Sequence, residues 1–521
     1  MLTKQKIKEI LSNRIEEISA ANIPHFLLLS DIQKAVKRIK SAVLNSEKIV
    51  IVGDYDVDGV SSSAIMKLFF EKLSCDVEVV IPDRFKEGYG LSLKLLEKIK
   101  ADLIITVDNG ITSFEAANEC KKRKIDLIIT DHHTPLINEE LRMENGELID
   151  EFKLPEAYAI INPKTSPDFP FKQICGAEVA WYLCAAIKAQ MKLKIDLKEY
   201  TDILALAIIA DIMPLTHMNR TLVNMGLKKL NAAKKPFAKA LKRFFNKDFK
   251  SEDIAFQIAP RLNAAGRMSH AFAAYKFLIS KNEEEAFNLL MELDRLNNLR
   301  KETEKEALES IEEIEDSFIV VRGDYHEGVL GIIASRLVHK YKKPALVFTQ
   351  KENILKGSGR SLGNIDIFKL VNECKDLLEG FGGHKMACGL SLKENNFEKL
   401  KSALNQKISQ YKDEDFFIED FVLGELPFRE IDIELLDILQ SFEPFGEQNP
   451  KPKFIATAKI EHIQNLKENH FKLILSQDDI VLPAIIFKYD GKFNKTIDFK
   501  FSVSENNYYG RSVQLMIEEV L

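Results

Sequence analysis

The sequence is sparing with cysteine. Its six, Cys75, Cys120, Cys175, Cys184, Cys374 and Cys388, are spread through 521 residues without one CxxC pair. That spacing argues against a disulfide framework and points to buried thiols in a reduced, cytoplasmic protein. Long hydrophobic runs are absent too: no stretch approaches the roughly 18 apolar residues that a membrane span needs. The amino-terminal "MLTKQKIKEILSNRIEEIS" reads as a charged amphipathic helix, so neither secretion nor membrane embedding is expected. Nor is there an excess of positive charge. Lys and Arg number 73 against 79 Asp and Glu, a net charge of −6, so nucleic-acid binding would have to rest on a local basic surface. Internal repeats and low-complexity linkers are missing as well.

What is present is ordinary for a globular protein, 45% hydrophobic and 29% charged residues, and the length suggests about three or four domains. From Lys48 to about Leu215, "KIVIV", "CDVEVVIP", "ADLIITVD", "IDLIITD" and "YAIINP" read as short strands between amphipathic stretches, the alternation of a parallel α/β sheet covered on both faces. A mainly helical section follows, and its charged "KNEEEAFNLLMELDRLNNLRKETEKEALESIEEIED" predicts an extended helix connecting two domains, with coiled-coil pairing the weaker alternative. A second α/β pattern runs from "SFIVVRGD" to "ACGLSL". Beyond about Phe417 five strand-like runs, "FIEDFVLGELPF", "KFIATAKIEHIQN", "HFKLILSQDDIVLPAIIFKY", "TIDFKFSVSENNYYG" and "RSVQLMIEEVL", predict a small β-barrel of OB type. The expected division is a helical segment 1–47, an α/β domain 48–225, a helical connector 226–316, a smaller α/β domain 317–412 and a barrel 413–521.

The chemistry begins in "IVIVGDYDVDGVSSSA". Asp54, Asp56 and Asp58 at alternate positions before Gly59 look like the opening of a calcium loop. Such a loop closes on a bidentate Glu at its twelfth residue; here that position is Ile65, and the segment before Asp54 is a strand. The unit is strand, acidic turn, helix, with hydroxyl caps expected at Ser61–Ser63. Further segments end the same way: Asp108 follows "ADLIITV", Asp131, His132 and His133 follow "IDLIIT", and Asp211 follows the apolar "LALAIIA". Alone, each Asp could be a helix cap and the histidine pair a surface turn. Together, carboxylates and imidazoles delivered to one sheet edge are what a two-metal hydrolytic site requires. Asp/His ligation without cysteine suits Mn2+ or Mg2+ better than structural zinc.

In this order, "DYDVDG", "VDNG", "DHH" and "ADIMPL" resemble the first four motifs of the DHH phosphoesterase superfamily. "IAPRLNAAGRM", "HEGVLGIIASRL", "GSGRS", "GFGGHKMACGL" and "FEPFGEQNPKPKF" narrow the resemblance to its RecJ family of single-stranded-DNA-specific exonucleases, over nearly the whole chain. The resemblance implies a parallel-sheet DHH domain, a long connecting helix, a smaller α/β DHHA1 domain and a carboxy-terminal OB-fold. It implies a processive 5′→3′ exonuclease that releases 5′-mononucleotides in DNA repair and recombination, using two divalent cations, Mn2+ or Mg2+. Asp56 would then bind the first metal, with Asp54 beside it, and Asp58 the second; Asp108 would bridge them, and His132 and Asp211 would complete the second site. Asp131 would orient an imidazole, and His133 would face the scissile phosphate.

Arg84 can contact a phosphate through two nitrogens, and Tyr89 can stack on a base; a mobile loop with a solvated Arg is the plain alternative. By resemblance Arg84, Ser358 and Arg360, with Ser361 nearby, would hold the terminal 5′-phosphate. Gly382, Gly383 and His384 would let backbone approach the strand, or simply form a tight turn. His326 belongs to the same nucleic-acid-binding set. Arg261, Asn263 and Arg267 would line the interdomain cleft or else form interdomain salt bridges. In the barrel, Lys472, Lys488 and Tyr509 are surface candidates without distinction. The implied partners are single-stranded DNA, a single-stranded-DNA-binding protein and a recombination helicase, with no membrane and a monomeric state. Larger relatives carry a further carboxy-terminal domain, whose contacts are expected to be missing here. Alternatives on the same core are a phosphodiesterase for oligoribonucleotides or cyclic dinucleotides, disfavoured by the barrel, and a non-catalytic DNA-binding scaffold, disfavoured by the full ligand set. A haloacid-dehalogenase reading of Asp56-x-Asp58-x-Val60 leaves the second half unexplained.

Overall fold

Five short apolar runs pair side by side in the first domain. In a computed structural model describing residues 1–15, 18–137, 142–144, 147–149, 152–417, 420–467, 469–506 and 510–521, β1 (Ile49–Val52), β2 (Glu78–Val80), β3 (Leu103–Val107), β4 (Asp126–Thr130) and β5 (Ala159–Ile161) form an all-parallel sheet in the order β2-β1-β3-β4-β5. β1 and β3 are buried at every position, as befits strands covered on both faces. Ile49, Ile51, Leu103 and Ile105 face the larger core; Val50, Val52 and Ile104 face a smaller one with Leu91, Leu95 and Ala116. Each such side chain contributes about 1.5–3 kcal/mol by leaving water.

Of the amino-terminal helices, α1 (Lys4–Ser12) leaves this domain and buries Ile7 and Leu11 in the carboxy-terminal barrel, whereas α2 (Ile32–Leu44) packs on the sheet. The larger core also takes in α3 (Val57–Lys72), α4 (Gly176–Gln190), α5 (Thr201–Ala210), α6 (His217–Ala232) and α7 (Ala259–Met268). α3 starts earlier than the serines suggest. Asp56 is its cap, accepting the Gly59 N–H at 3.1 Å, and Ser61–Ser63 are buried in its second turn. A carboxylate placed to accept the free amides of the first turn outcompetes hydroxyls farther on.

α8 (Glu283–Glu309) has 27 residues, about 40 Å at the helical rise. Leu290, Leu293 and Leu296 sit in the first core and Ala307 in the second, so it is the connecting helix its charge pattern suggested. The second α/β domain is a mixed sheet of β6 (Ile319–Gly323), β7 (Ala345–Lys351), β8 (Ile354–Arg360), β9 (Gly380–His384) and β10 (Ala387–Lys393), in the order β6-β7-β8-β10-β9, with only β6 and β7 parallel. α9 (Leu330–Tyr341) follows β6 and lies against β7 and β8.

The barrel differs from its expected division. The run "FIEDFVLGELPF" yields only β11 (Val422–Glu425), laid parallel to the start of β12 (Lys453–Lys467) and outside the closed wall. The run from His470 to Tyr489 is a hairpin of β13 (His470–Gln477) and β14 (Ile480–Ile486), turned by Asp478 and Asp479, both with positive φ, the conformation of a tight hairpin turn. With β15 (Thr496–Asn506) and β16 (Ser512–Val520) the ring β12-β13-β14-β16-β15 closes through β15 and β12. The six thiols are free, five of them buried. Among the described residues no helix is long and apolar enough to cross a membrane.

Candidate metal centre and cleft

The carboxyl edge of the first sheet gathers the acidic residues. Asp54 and Asp56 lie in the turn after β1, and Asp58 is in the first turn of α3. Asp58 accepts the N–H groups of Gly176 at 2.6 Å and Ala177 at 2.8 Å, the free amides that open α4. Asp108 follows β3 with φ of 63°, a conformation for which Asp is one of the tolerated residues. Gly176 must be glycine, since a Cβ there would stand 2.5 Å from Asp108 Cβ. Asp211 does not end a strand. It caps α5, and Ile212 after it has φ of 54°. Met213 N–H returns to Ile208 O at 3.0 Å and Ile212 N–H to Ile209 O at 3.2 Å, the double bond of a Schellman close. A β-branched residue in the usual glycine position costs about 1–2 kcal/mol.

These segments converge. His132 Nε2 lies 3.2 Å from Asp108 Oδ1, 3.5 Å from Asp211 Oδ2 and 3.6 Å from Asp58 Oδ2. Asp54, Asp56 and Asp108 offer a second set of oxygens within 4.8 Å of one another, so Asp108 borders both. Asp54 Oδ1, Asp108 Oδ1 and Asp211 Oδ2 are buried with no hydrogen-bond partner. Burial and then the mutual repulsion of the aspartates push Asp54, Asp108 and Asp211 far above the usual carboxylate range. Buried carboxylates left unpaired and crowded together fit divalent cations, which would neutralise them. Burial and the charge of His133 push His132 down to about 4, keeping it the neutral imidazole that binds metal.

Asp131 is engaged differently. It accepts the N–H groups of Ile111 at 2.9 Å, His132 at 2.7 Å and His133 at 3.0 Å, and lies 2.7 Å from His133 Nδ1. Burial would raise it, but the bond and charge of His133 prevail and hold it at about 2. Burial likewise opposes the charge on His133, and Asp131 outweighs it, raising His133 to about 9. The imidazole it orients is thus His133.

The nucleic-acid candidates divide. Tyr89 is 45% exposed, but its hydroxyl bonds Asp108 O at 3.2 Å and lies 3.4 Å from His133 Nδ1. Its ring meets those of Tyr55 and His133 edge-on, so it lines the metal centre. The Arg84 guanidinium lies 5.1 Å from the centre of the Tyr55 ring. Across the cleft, Arg360 Nη1 bonds Ser358 Oγ at 3.2 Å, and both side chains pack on Gly331 in the first turn of α9. Arg267 is pushed down to about 10, first by burial and then by Arg84, Arg300 and Arg360. Arg300 pairs with Glu304 at 2.7 Å, and the charges of Arg84, Arg267 and Arg360 would suit an anion.

Other candidates stand apart. Arg261 pairs with Asp294 of α8 at 2.8 Å and lies over Phe244 and Phe245, holding α7 to α8. Asn263 lines the cleft, yet its oxygen accepts Val57 N–H at 3.1 Å, anchoring the acidic turn. Ser361 donates to Ile365 O at 2.7 Å. His326 accepts Gly328 N–H at 3.0 Å, and its ring packs on Phe85. Gly382, Gly383 and His384 lie on the exposed edge strand β9. Tyr509 is outside the described residues. Sequence reasoning missed two asparagines. Asn109 joins Val52 O, Val107 O and Leu91 N–H, and Asn162 donates to His133 O at 2.9 Å; their signals are the Asn of "VDNG", two residues past a strand, and a polar residue directly after one.

Three family models match the chain: the DHH family N-terminal domain over residues 48–208, the DHHA1 domain over 315–410 and the RecJ OB domain over 424–519. The single-stranded-DNA-specific exonuclease RecJ of Bacillus subtilis is 35% identical over 482 residues, covering 88% of this chain; the chain spans 58% of that relative's length. The RecJ exonuclease of Salmonella typhimurium is 33% identical over 94% of this chain and 90% of its own. The crystal structure of RecJ from Thermus thermophilus in complex with Mn2+ superposes with a TM-score of 0.81 at 28% identity, over 95% of this chain and 72% of that one. The same protein in complex with Mg2+ gives 0.76.

Proposed function

The chain belongs to the RecJ family of DHH phosphoesterases, and from that membership we propose that it is a metal-dependent exonuclease that degrades single-stranded DNA processively from the 5′ end. The observation that carries the reading is His132 Nε2 within 3.6 Å of three carboxylates from three separate segments. Asp54, Asp56 and Asp108 would hold one cation, and Asp58, Asp108, His132 and Asp211 the other. When bound, two Mn2+ or Mg2+ ions supply activated water and charge neutralisation for phosphodiester hydrolysis. His133, kept cationic by Asp131, faces the same opening and stabilises charge on the phosphoryl oxygens. Arg84, Ser358 and Arg360, with the amides that open α9, hold the terminal 5′-phosphate, which fixes polarity. On the same reading the enzyme acts as a cytoplasmic monomer in repair and recombination, beside a single-stranded-DNA-binding protein and a recombination helicase.

Digestion of 5′- and 3′-end-labelled single strands with and without Mn2+ tests this. Metal-dependent release of labelled mononucleotide from the 5′-labelled strand is expected, with full-length 3′-labelled strand giving way to short end products without a ladder of intermediates. A preference for free dinucleotides over long strands would overturn it.

A further inference from the structure

The "FEPFGEQNP" segment belongs to the barrel by connectivity and to the catalytic domain by contact. It leaves the helix α10 (Ile433–Ser441), which packs on the barrel core, and leads into β12. Between them, residues 442–449 are inserted against the first domain. Buried Arg220 of α6 donates to Phe442 O at 3.0 Å and Glu443 O at 2.7 Å, and Asn449 Nδ2 bonds Phe442 O at 3.0 Å and Pro444 O at 2.8 Å. Ser251 Oγ donates to Phe445 O at 2.7 Å. Leu215 N–H donates to Glu447 O at 2.8 Å, and Gly446 lies so close that a Cβ there would stand 2.7 Å from Leu215 Cδ1.

Leu215 is four residues from Asp211. Unlike Asp58 and Asp131, whose carboxylates are fixed by backbone amides, Asp211 has a buried oxygen with no hydrogen-bond partner. That oxygen lies 3.5 Å from His132 Nε2, and the backbone of the segment decides where the carboxylate stands. The next residue, Ile212, is in the left-handed region and 69% exposed, so no packing of its own side chain rewards that conformation. A strained backbone persists only where its surroundings over-determine it. One side of this short segment is the end of α5; the other is Leu215 and Arg220, both held by the barrel's turn.

We propose that the Phe442–Asn449 turn is a positioning element for the second cation. By fixing Leu215 and Arg220 it keeps Asp211 at ligating distance from His132, so occupancy of that site depends on the barrel being docked. The inference rests on Asp211 being a ligand.

Mn2+ binding to the intact chain, followed by titration calorimetry, tests it. The wild type is expected to take two ions. Asp211→Asn should lose one; if it binds both unchanged, the ligand reading itself fails. Gly446→Val and, independently, Arg220→Lys should weaken the second ion tenfold or more and leave the first within twofold. Leu215→Ala, which removes the atoms a valine at 446 would strike, should restore the second ion to Gly446→Val. Retention of both affinities in Gly446→Val and Arg220→Lys, while Asp211→Asn loses one ion, overturns the coupling and leaves the ligand reading standing. Equal loss of both ions, or failure of Leu215→Ala to rescue, overturns it as well, because a loss of general stability would not choose between the sites.

Discussion

His133 Nδ1 lies 2.7 Å from Asp131 Oδ1, on a carboxylate that also accepts three backbone amides. With donors on every side, Asp131 has no free lone pair aimed at a cation, and its charge is spent on keeping His133 protonated and oriented. Asp131→Asn would turn an amide nitrogen toward an N–H donor whichever way it is placed. Positioning carboxylates of this kind are worth about 10- to 100-fold in activity, so a drop of that size in single-turnover cleavage is expected. His133→Ala should cost no less, and the double variant should cost no more than His133→Ala alone. Additive losses would show that Asp131 acts by another route.

Asp108 Oδ1 is 3.2 Å from His132 Nε2, and the Asp108 carboxylate also groups with Asp54 and Asp56. In the proposed site it is the carboxylate shared by both ligand sets. Asp108→Ala should therefore abolish cleavage while leaving single-strand binding in a gel-shift assay within about threefold, since the basic pocket across the cleft is untouched. Retained Mn2+-dependent nuclease activity would refute the bridging role.

The sheet and its acidic edge were legible because β1, β3 and β4 are buried on both faces, and continuous apolar runs ending in Asp announce such strands. Asp211 was legible as a ligand type but not in its setting. "LALAII" is buried at every position, and a helix buried all round shows no 3.6-residue alternation to tell it from a strand. The β13–β14 hairpin was hidden because Asp478 and Asp479 make its turn without a glycine. Arg261 could not be sorted from Arg267 by sequence: its partner Asp294 is 33 residues away on another helix. Asn263 does line the cleft, but its bond to Val57 N–H is a tertiary contact that no local pattern encodes.

Arg360 is tied to Ser358 and packs on the opening of α9, and its charge, like that of Arg84, is felt by Arg267. A terminal phosphomonoester carries more charge than an internal diester, so it gains most from this cluster. Arg360→Ala should lower the preference for 5′-phosphorylated over 5′-hydroxyl strands by about tenfold, with the rate on 5′-hydroxyl strands little changed. Competition between two differently labelled strands in one tube reads the ratio directly, and an unaltered ratio removes Arg360 from the pocket.

Glu178 is fully buried at the start of α4. It accepts Cys175 N–H at 2.9 Å through Oε2, and its Oε1 has no partner. Burial raises its carboxyl to about 8 against the opposing Cys175 bonds, and Asp58 adds to the rise. The unfolded chain titrates near 4.3. Between these values the folded state holds a proton that the unfolded state has released. The contribution to stability is therefore complete below the unfolded value and lost as pH rises through about 8, a difference on the order of a few kcal/mol. Glu178→Gln keeps the helix-capping acceptor and cannot ionise. Its melting temperature should match the wild type at pH 5 and exceed it by several degrees at pH 9, as read by scanning calorimetry. An equal offset at both pH values would mean that Glu178 is not protonated in the folded protein.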